Sequence, residues 1–210
     1  MDQHLRSIMD KRIERTMENL KKNRMGAYYV QSAAEVVPLV DRLCRPGETV
    51  AAGGSMTLFE CGVIDHLNSG KYRHLDRYAK DADIAQVMRD AFFADTYLTS
   101  TNALTETGEL YNVDGNGNRV AAMLFGPRQV IVVAGYNKIV ADMEEAVRRV
   151  EQVAAPANVA RLGLSAPCAK EGRCVHCRGD GHICCDFVRM GMQRTANRIQ
   201  VILVGEPLGY

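Results

Sequence analysis

Five of the seven cysteines, Cys168, Cys174, Cys177, Cys184 and Cys185, fall within 18 residues, among glycines and charges and almost no bulky apolar neighbours. Cysteine is ordinarily a buried residue, so crowding it into a polar, turn-rich stretch calls for a chemical reason: disulfide, metal or redox work. Only Cys174 and Cys177 form a Cys-x-x-Cys pair. Structural zinc commonly joins two such pairs, whereas iron–sulfur clusters tolerate looser spacing. Cys168, Cys174, Cys177 and Cys184 are therefore assigned to one metal centre, with an iron–sulfur cluster and Zn2+ both open. His176 and His182 could substitute for a ligand. Cys185 is the expected bystander, because adjacent side chains on an extended chain point in opposite directions. Cys44 and Cys61, on apolar helical faces, are expected in the core.

Two further stretches could do chemistry. Gly53, Gly54, Ser55 and Thr57 lie between a short apolar strand and a helix, where bare backbone N–H groups and a positive helix end can receive an anion. Glu60, one turn on, could face the same pocket. Asn102, Thr105, Glu106, Asp114, Asn116, Asn118 and Arg119 form a dense polar run after a strand that ends near Ser100. Glu106 or Asp114 could act as a base, and the planar fork of Arg119 suits a carboxylate, either a neighbouring side chain or, as expected here, the ligand's. Asn137 and Lys138 hold the equivalent position after another strand, where Lys138 could bind an anion.

The elements that must position these residues alternate. Apolar strands are expected over 27–30, 49–52, 73–78, 95–100, 130–134 and 199–204, with helices over 32–44, 57–68, 82–92 and 139–154. A hairpin is expected where 110–113 and 119–125 flank Asp114-Gly115-Asn116-Gly117-Asn118. Such βα repetition predicts an α/β fold with a mostly parallel sheet flanked by helices. Residues 1–26 read as an amphipathic helix, either packed on the body or reaching across a homodimer, and 27–210 as one domain that includes the cysteine loop.

The 26 basic and 25 acidic residues leave a formal charge of +1, which gives no electrostatic case for nucleic acid or an acidic membrane. The longest apolar run is six residues, Val120 to Phe125, too short to span a bilayer. The N-terminus lacks the apolar stretch of a signal peptide. A cytoplasmic location is expected, and a reducing compartment favours metal ligands over disulfides.

Several motifs in order, GGSMTLFECG at 53–62, TNALTETGEL at 101–110, NVDGNGNRVAA at 112–122, FGP at 125–127, NKIV at 137–140 and APC at 166–168, resemble the LUD-domain family of lactate-utilization proteins. The resemblance runs from about Arg12 to Glu206. It implies a fold like that of the sugar-phosphate isomerases and coenzyme A transferases. It also implies a part in bacterial oxidation of L-lactate to pyruvate, beside iron–sulfur partner subunits. The expected ligand is small and carries a carboxylate or phosphate. An isomerase or acyl-transferring enzyme using the same pocket, and a non-catalytic metal-stapled binding protein, stand as alternatives.

Overall fold

The computed structural model describes residues 2–210. Its strands are β1 (Gly26–Val30), β2 (Thr49–Ala52), β3 (Arg73–Leu75), β4 (Thr96–Thr99), β5 (Ala103–Thr105), β6 (Leu110–Asp114), β7 (Gln129–Gly135), β8 (Ile139–Val140), β9 (Asp186–Met190) and β10 (Ile199–Val204). Six of them form a wholly parallel sheet in the order β1-β10-β7-β4-β2-β3. The alternation of β7 shows why the central strands of this sheet are so rich in apolar residues. Val130, Val132 and Ala134 enter one core with Val201 and Leu203, while Ile131 and Val133 enter another with Ile202 and Val204. A strand covered on both faces must be apolar at every position.

Helices supply the covers. The first, α1 (Gln3–Lys22), starts with the Asp2 carboxylate accepting from the His4 and Leu5 N–H groups, and buries Ile13, Thr16 and Leu20 against the first core. The opposite face receives α2 (Val36–Leu43), α3 (Met56–Glu60) and α4 (Val63–Leu67). The continuous helix expected over 57–68 is divided at Gly62, whose φ of 70° ends one helix and starts the next. α5 (Ile84–Asp90) precedes β4.

A second, four-stranded sheet, β8-β5-β6-β9, sits at the carboxyl end of the first. The expected hairpin is corrected here. Residues Asn118–Leu124 form α6, not a strand, and β6 pairs with β5 and β9. Gly117 at φ 68° turns the chain, and one Asp114 carboxylate oxygen accepts from the N–H groups of Arg119 and Val120, satisfying the donors that a helix start exposes. The long helix expected from Ile139 starts at α7 (Met143–Arg149), after β8. It continues through a π-helical segment, Val150–Ala154, into α8 (Ala155–Arg161), and α9 (Cys168–Glu171) opens the cysteine loop.

Candidate functional site

All six strands of the main sheet run the same way, so one edge collects all their carboxyl ends. There β2 delivers Gly54 and Ser55, β4 delivers Ser100 to Asn102, and β7 delivers Lys138. Ligands of open parallel sheets bind at this edge. The second sheet closes one side with Val113 to Asn116, and the helix of the π segment closes another with Val150, Ala154, Asn158 and Arg161. The result is a cleft of about 500 Å³.

Lys138 stands at its floor, 2% exposed and, among the described residues, with no carboxylate within ion-pair distance, Glu60 acting on it only from farther off. Its Nζ donates to the hydroxyls of Thr57 and Ser100, each at 2.9 Å. Each hydroxyl also has a backbone acceptor for its own hydrogen, the Leu208 carbonyl 3.2 Å from Thr57 Oγ1 and the Thr101 carbonyl 3.4 Å from Ser100 Oγ, and so is free to accept from the lysine. Burial pushes the Lys138 pKa down to about 7, helped by the positive charges of Arg149 and Arg119.

Arg119 lines the cleft, yet its guanidinium is fully engaged. Nε donates to Asp114, one terminal nitrogen to Asn112 and the Ser100 carbonyl, and the other to Asn102 and the Val113 carbonyl. All five donors have protein partners, which leaves none for a ligand carboxylate. Asp114 is committed equally, to the Arg119 side chain and to two backbone N–H groups. Its expected role as a base is corrected to that of a loop brace.

The remaining sequence candidates separate into two groups. Gly54, Ser55, Asn102, Asn116 and Asn118 line the cleft. Glu106 is outside it: its carboxylate meets Arg12 and Arg15 of α1, at 2.6 and 2.7 Å, so a catalytic Glu106 is replaced by one that clamps the N-terminal helix. Glu60 accepts from the Gly209 N–H, and Asn137 holds the Leu208 N–H and the Gly209 carbonyl, so both tether the C-terminal tail. Gly53 and Thr57 lie behind the lining. The Gly53 N–H bonds the Leu98 carbonyl, and Thr57 acts through Lys138.

The cysteine loop forms the last wall. His182, Ile183 and Cys184 line the cleft, and the Ile183 carbonyl packs so close to Gly115 that a Cβ there would stand 3.2 Å from it. The Cys185 N–H bonds the Asp114 carbonyl and leads directly into β9. Cys168 and Cys177 share a small apolar cluster with Ile183, while Cys184 packs towards Tyr111 and Val150. Four thiolates on one tetrahedral ion would lie about 3.8 Å apart, given metal–sulfur bonds of about 2.3 Å. Among the described residues the four assigned thiols do not gather that closely. The set that does converge is Glu151, Cys174 and His176, with ligand atoms within 4.8 Å of one another.

The sequence profile of the LUD domain matches residues 13–204. The chain belongs to the LUD-domain family. That family is associated with lactate utilization. A solved DUF162 family protein from Deinococcus radiodurans, 18% identical, superposes over 95% of this chain and 98% of its own with a TM-score of 0.53, and so shares the fold. The beta and delta subunits of eIF2B from Chaetomium thermophilum align over 55% of this chain and 45% and 51% of theirs, at 14% and 19% identity and TM-scores of 0.40 and 0.33. No curated protein matches the chain.

This LUD domain also brings to its cleft residues that spacing did not single out: Arg77, Tyr78, Ser100, Asn158, Arg161 and Tyr210. Arg77 lies over the Tyr78 ring at 5.5 Å, and Arg161 is steadied by Asn158 at 2.8 Å. Neither has a carboxylate within ion-pair distance among the described residues. The one acidic side chain in the lining of the LUD cleft, Asp114, is paired with Arg119, so Arg77 and Arg161 face the cleft with their charges unopposed by a lining side chain.

Proposed function

We propose that this LUD domain binds a small 2-hydroxy or 2-oxo carboxylate in the cleft, as a component of bacterial oxidation of L-lactate to pyruvate. The observation that carries the reading is that two guanidiniums with no carboxylate in ion-pair distance among the described residues, Arg77 and Arg161, line a cleft walled by the cysteine loop. The guanidiniums attract and orient the carboxylate through their planar forks. Asn102, Asn116 and Asn118 shape the neighbouring wall, and the Gly54-Ser55 turn lets the backbone approach the ligand.

The cysteine loop supports a redox setting. An iron–sulfur cluster, in which each thiolate meets its own iron, asks less convergence of the four thiols than a single zinc ion does. An iron–sulfur cluster held by Cys168, Cys174, Cys177 and Cys184 would supply one-electron exchange with partner subunits. The contribution of this chain's own residues is to place the carboxylate beside that loop, with Cys184 and His182 facing the ligand.

Anaerobically purified protein tests both parts. Iron and acid-labile sulfide are expected in the intact chain and lost when Cys174 and Cys177 are both changed to Ser; zinc alone, or no metal with all thiols free, overturns the cluster. Titration with L-lactate and pyruvate should show saturable binding that weakens at least about tenfold in Arg161→Gln, consistent with roughly 1.5–3 kcal/mol for a bond to a charged group. Unchanged affinity in both Arg77→Gln and Arg161→Gln would refute the carboxylate site.

A further inference from the structure

We infer that Lys138 forms an imine with the carbonyl carbon of a 2-oxo acid held in the cleft. The inference rests on the proposed carboxylate site and adds a covalent step to it. A neutral primary amine has two N–H bonds and one lone pair. Both N–H bonds of Lys138 have oxygen acceptors in Thr57 and Ser100, and each of those hydroxyls has a backbone carbonyl, of Leu208 and Thr101, to take its own hydrogen, so neither needs the nitrogen's lone pair. The lone pair is left unpartnered in a residue that is 2% exposed and lines the cleft, so its accessible side is the ligand's side. An ammonium at the same place would be stripped of most of its water and would face the positive charges of Arg149 and Arg119, with Glu60 the smaller, opposing influence.

These features are the ones that convert a lysine from an anion anchor to a nucleophile: desolvation and neighbouring cations favour the uncharged amine. The Lys138 pKa of about 7 agrees with that geometry. The carboxylate itself falls to Arg77 and Arg161, which keep their charge. The step balances without an added reagent. The nitrogen lone pair attacks the carbonyl carbon, the C=O electron pair moves to oxygen, and the carbinolamine then loses that oxygen as water, both amine hydrogens leaving with it. The neutral imine then takes one proton from bulk water, and either hydroxyl can accept the resulting N–H.

Reductive trapping with cyanoborohydride at pH 7 tests this, using pyruvate and, separately, acetaldehyde, which lacks a carboxylate. Intact mass and peptide mapping should find one reduced pyruvate adduct per chain, at Lys138. An amine with a pKa near 7 is neutral on the order of 10²–10³ times more often at pH 7 than a surface lysine, so labelling should favour Lys138 by about 100-fold or more. Lys138→Met, close in shape and lacking the amine, should fold and show no adduct; circular dichroism confirms the fold. If pyruvate binds saturably but labels nothing, or only surface lysines, the imine is overturned and the carboxylate site stands. If acetaldehyde labels Lys138 while pyruvate neither binds nor labels, the lysine is nucleophilic but the 2-oxo acid assignment falls with the carboxylate site. Labelling of Lys138 by neither probe ends the proposal.

Discussion

Arg119 and Asp114 hold each other by side chain and backbone at once: the guanidinium Nε donates to one carboxylate oxygen at 2.8 Å, and the Arg119 backbone N–H donates to the other at 3.0 Å. The same carboxylate starts α6, so one ion pair fixes the end of β6, the polar turn and the helix that follows. Arg119→Lys keeps the charge but cannot reach Asn102, Asn112 and two carbonyls together. A loss on the order of 2–4 kcal/mol is expected, because buried acceptors are left without donors. For a chain of this size that corresponds to a melting temperature lower by roughly 5–15 °C. Calorimetry checks it, and an unchanged melting temperature with weakened pyruvate binding would return Arg119 to the ligand.

Lys138 predicts a pH dependence of stability. Its folded pKa lies below the unfolded one, so between about 7 and 10.5 the unfolded chain binds more protons and folding gains stability as pH rises. Below pH 7 both states are protonated and the cost of the buried charge is present in full. Lys138→Met should therefore be more stable than the parent at pH 6, by on the order of a few kcal/mol, and the advantage should shrink between pH 7 and 10. Denaturant melts at pH 6 and 9 compare the two; a constant difference would show that Lys138 titrates normally.

The main sheet was legible in the sequence because strands covered on both faces are apolar along almost their whole length, as Val130–Ala134 is throughout and Ile199–Val204 is but for Gln200. The second sheet was not. β5, β8 and β9 have two to five residues each, and Asp186–Met190 mixes charge with Phe187, which is 62% exposed. Position along the strands identified Gly54, Asn102, Asn116, Asn118 and Lys138 as lining residues, since residues just past parallel strands share one edge. It could not find Arg77 or Arg161, which arrive from a loop after β3 and from the end of α8. Glu106 misled because its neighbours in sequence are near the cleft while its side chain faces α1. The burial of Lys138 had no local signal, since it depends on Thr57 and the tail at Leu208.

Glu106→Gln separates the clamp from catalysis. Arg15 and Arg12 hold the Glu106 carboxyl below its ordinary range against the opposing effect of burial. Its stabilising contribution is therefore present above the unfolded carboxylate pKa and is lost as pH falls through the lower folded one. The variant should lose about 1 kcal/mol or less at neutral pH, since Arg15 is exposed. It should also open α1 to faster hydrogen exchange and bind pyruvate normally. Lost binding with an intact fold would restore Glu106 to the site.

Gly54→Val tests the approach of backbone to ligand. Gly54 has no positive φ, so strain does not arise, but a Cβ there meets the Tyr78 hydroxyl at 3.1 Å and Arg77 at 3.6 Å. The branched side chain pushes on the Arg77–Tyr78 pair and enters the cleft. Pyruvate affinity should fall at least about tenfold, on the order of 1.5–3 kcal/mol for one displaced charged contact. The melting temperature should change little. Full affinity would show that this turn lies away from the ligand.

The thiols predict an order of alkylation in metal-free protein. Cys185 is exposed, whereas Cys44 and Cys61 are buried, with thiols pushed by burial up to about 12 and about 11. Cys184 is half-buried, and burial first, then the neighbouring cysteine charges, push it up to about 11. Thiolates, not thiols, react with iodoacetamide. Cys185 should therefore label first at pH 8, Cys184 much later, and Cys44 and Cys61 only on unfolding. Because Cys184 lines the cleft and Cys185 does not, saturating pyruvate should slow only Cys184 further. Mass spectrometry of timed samples reads each site separately, and equal protection of both cysteines would mean that pyruvate acts on the loop as a whole and not at the wall it shares with Cys184.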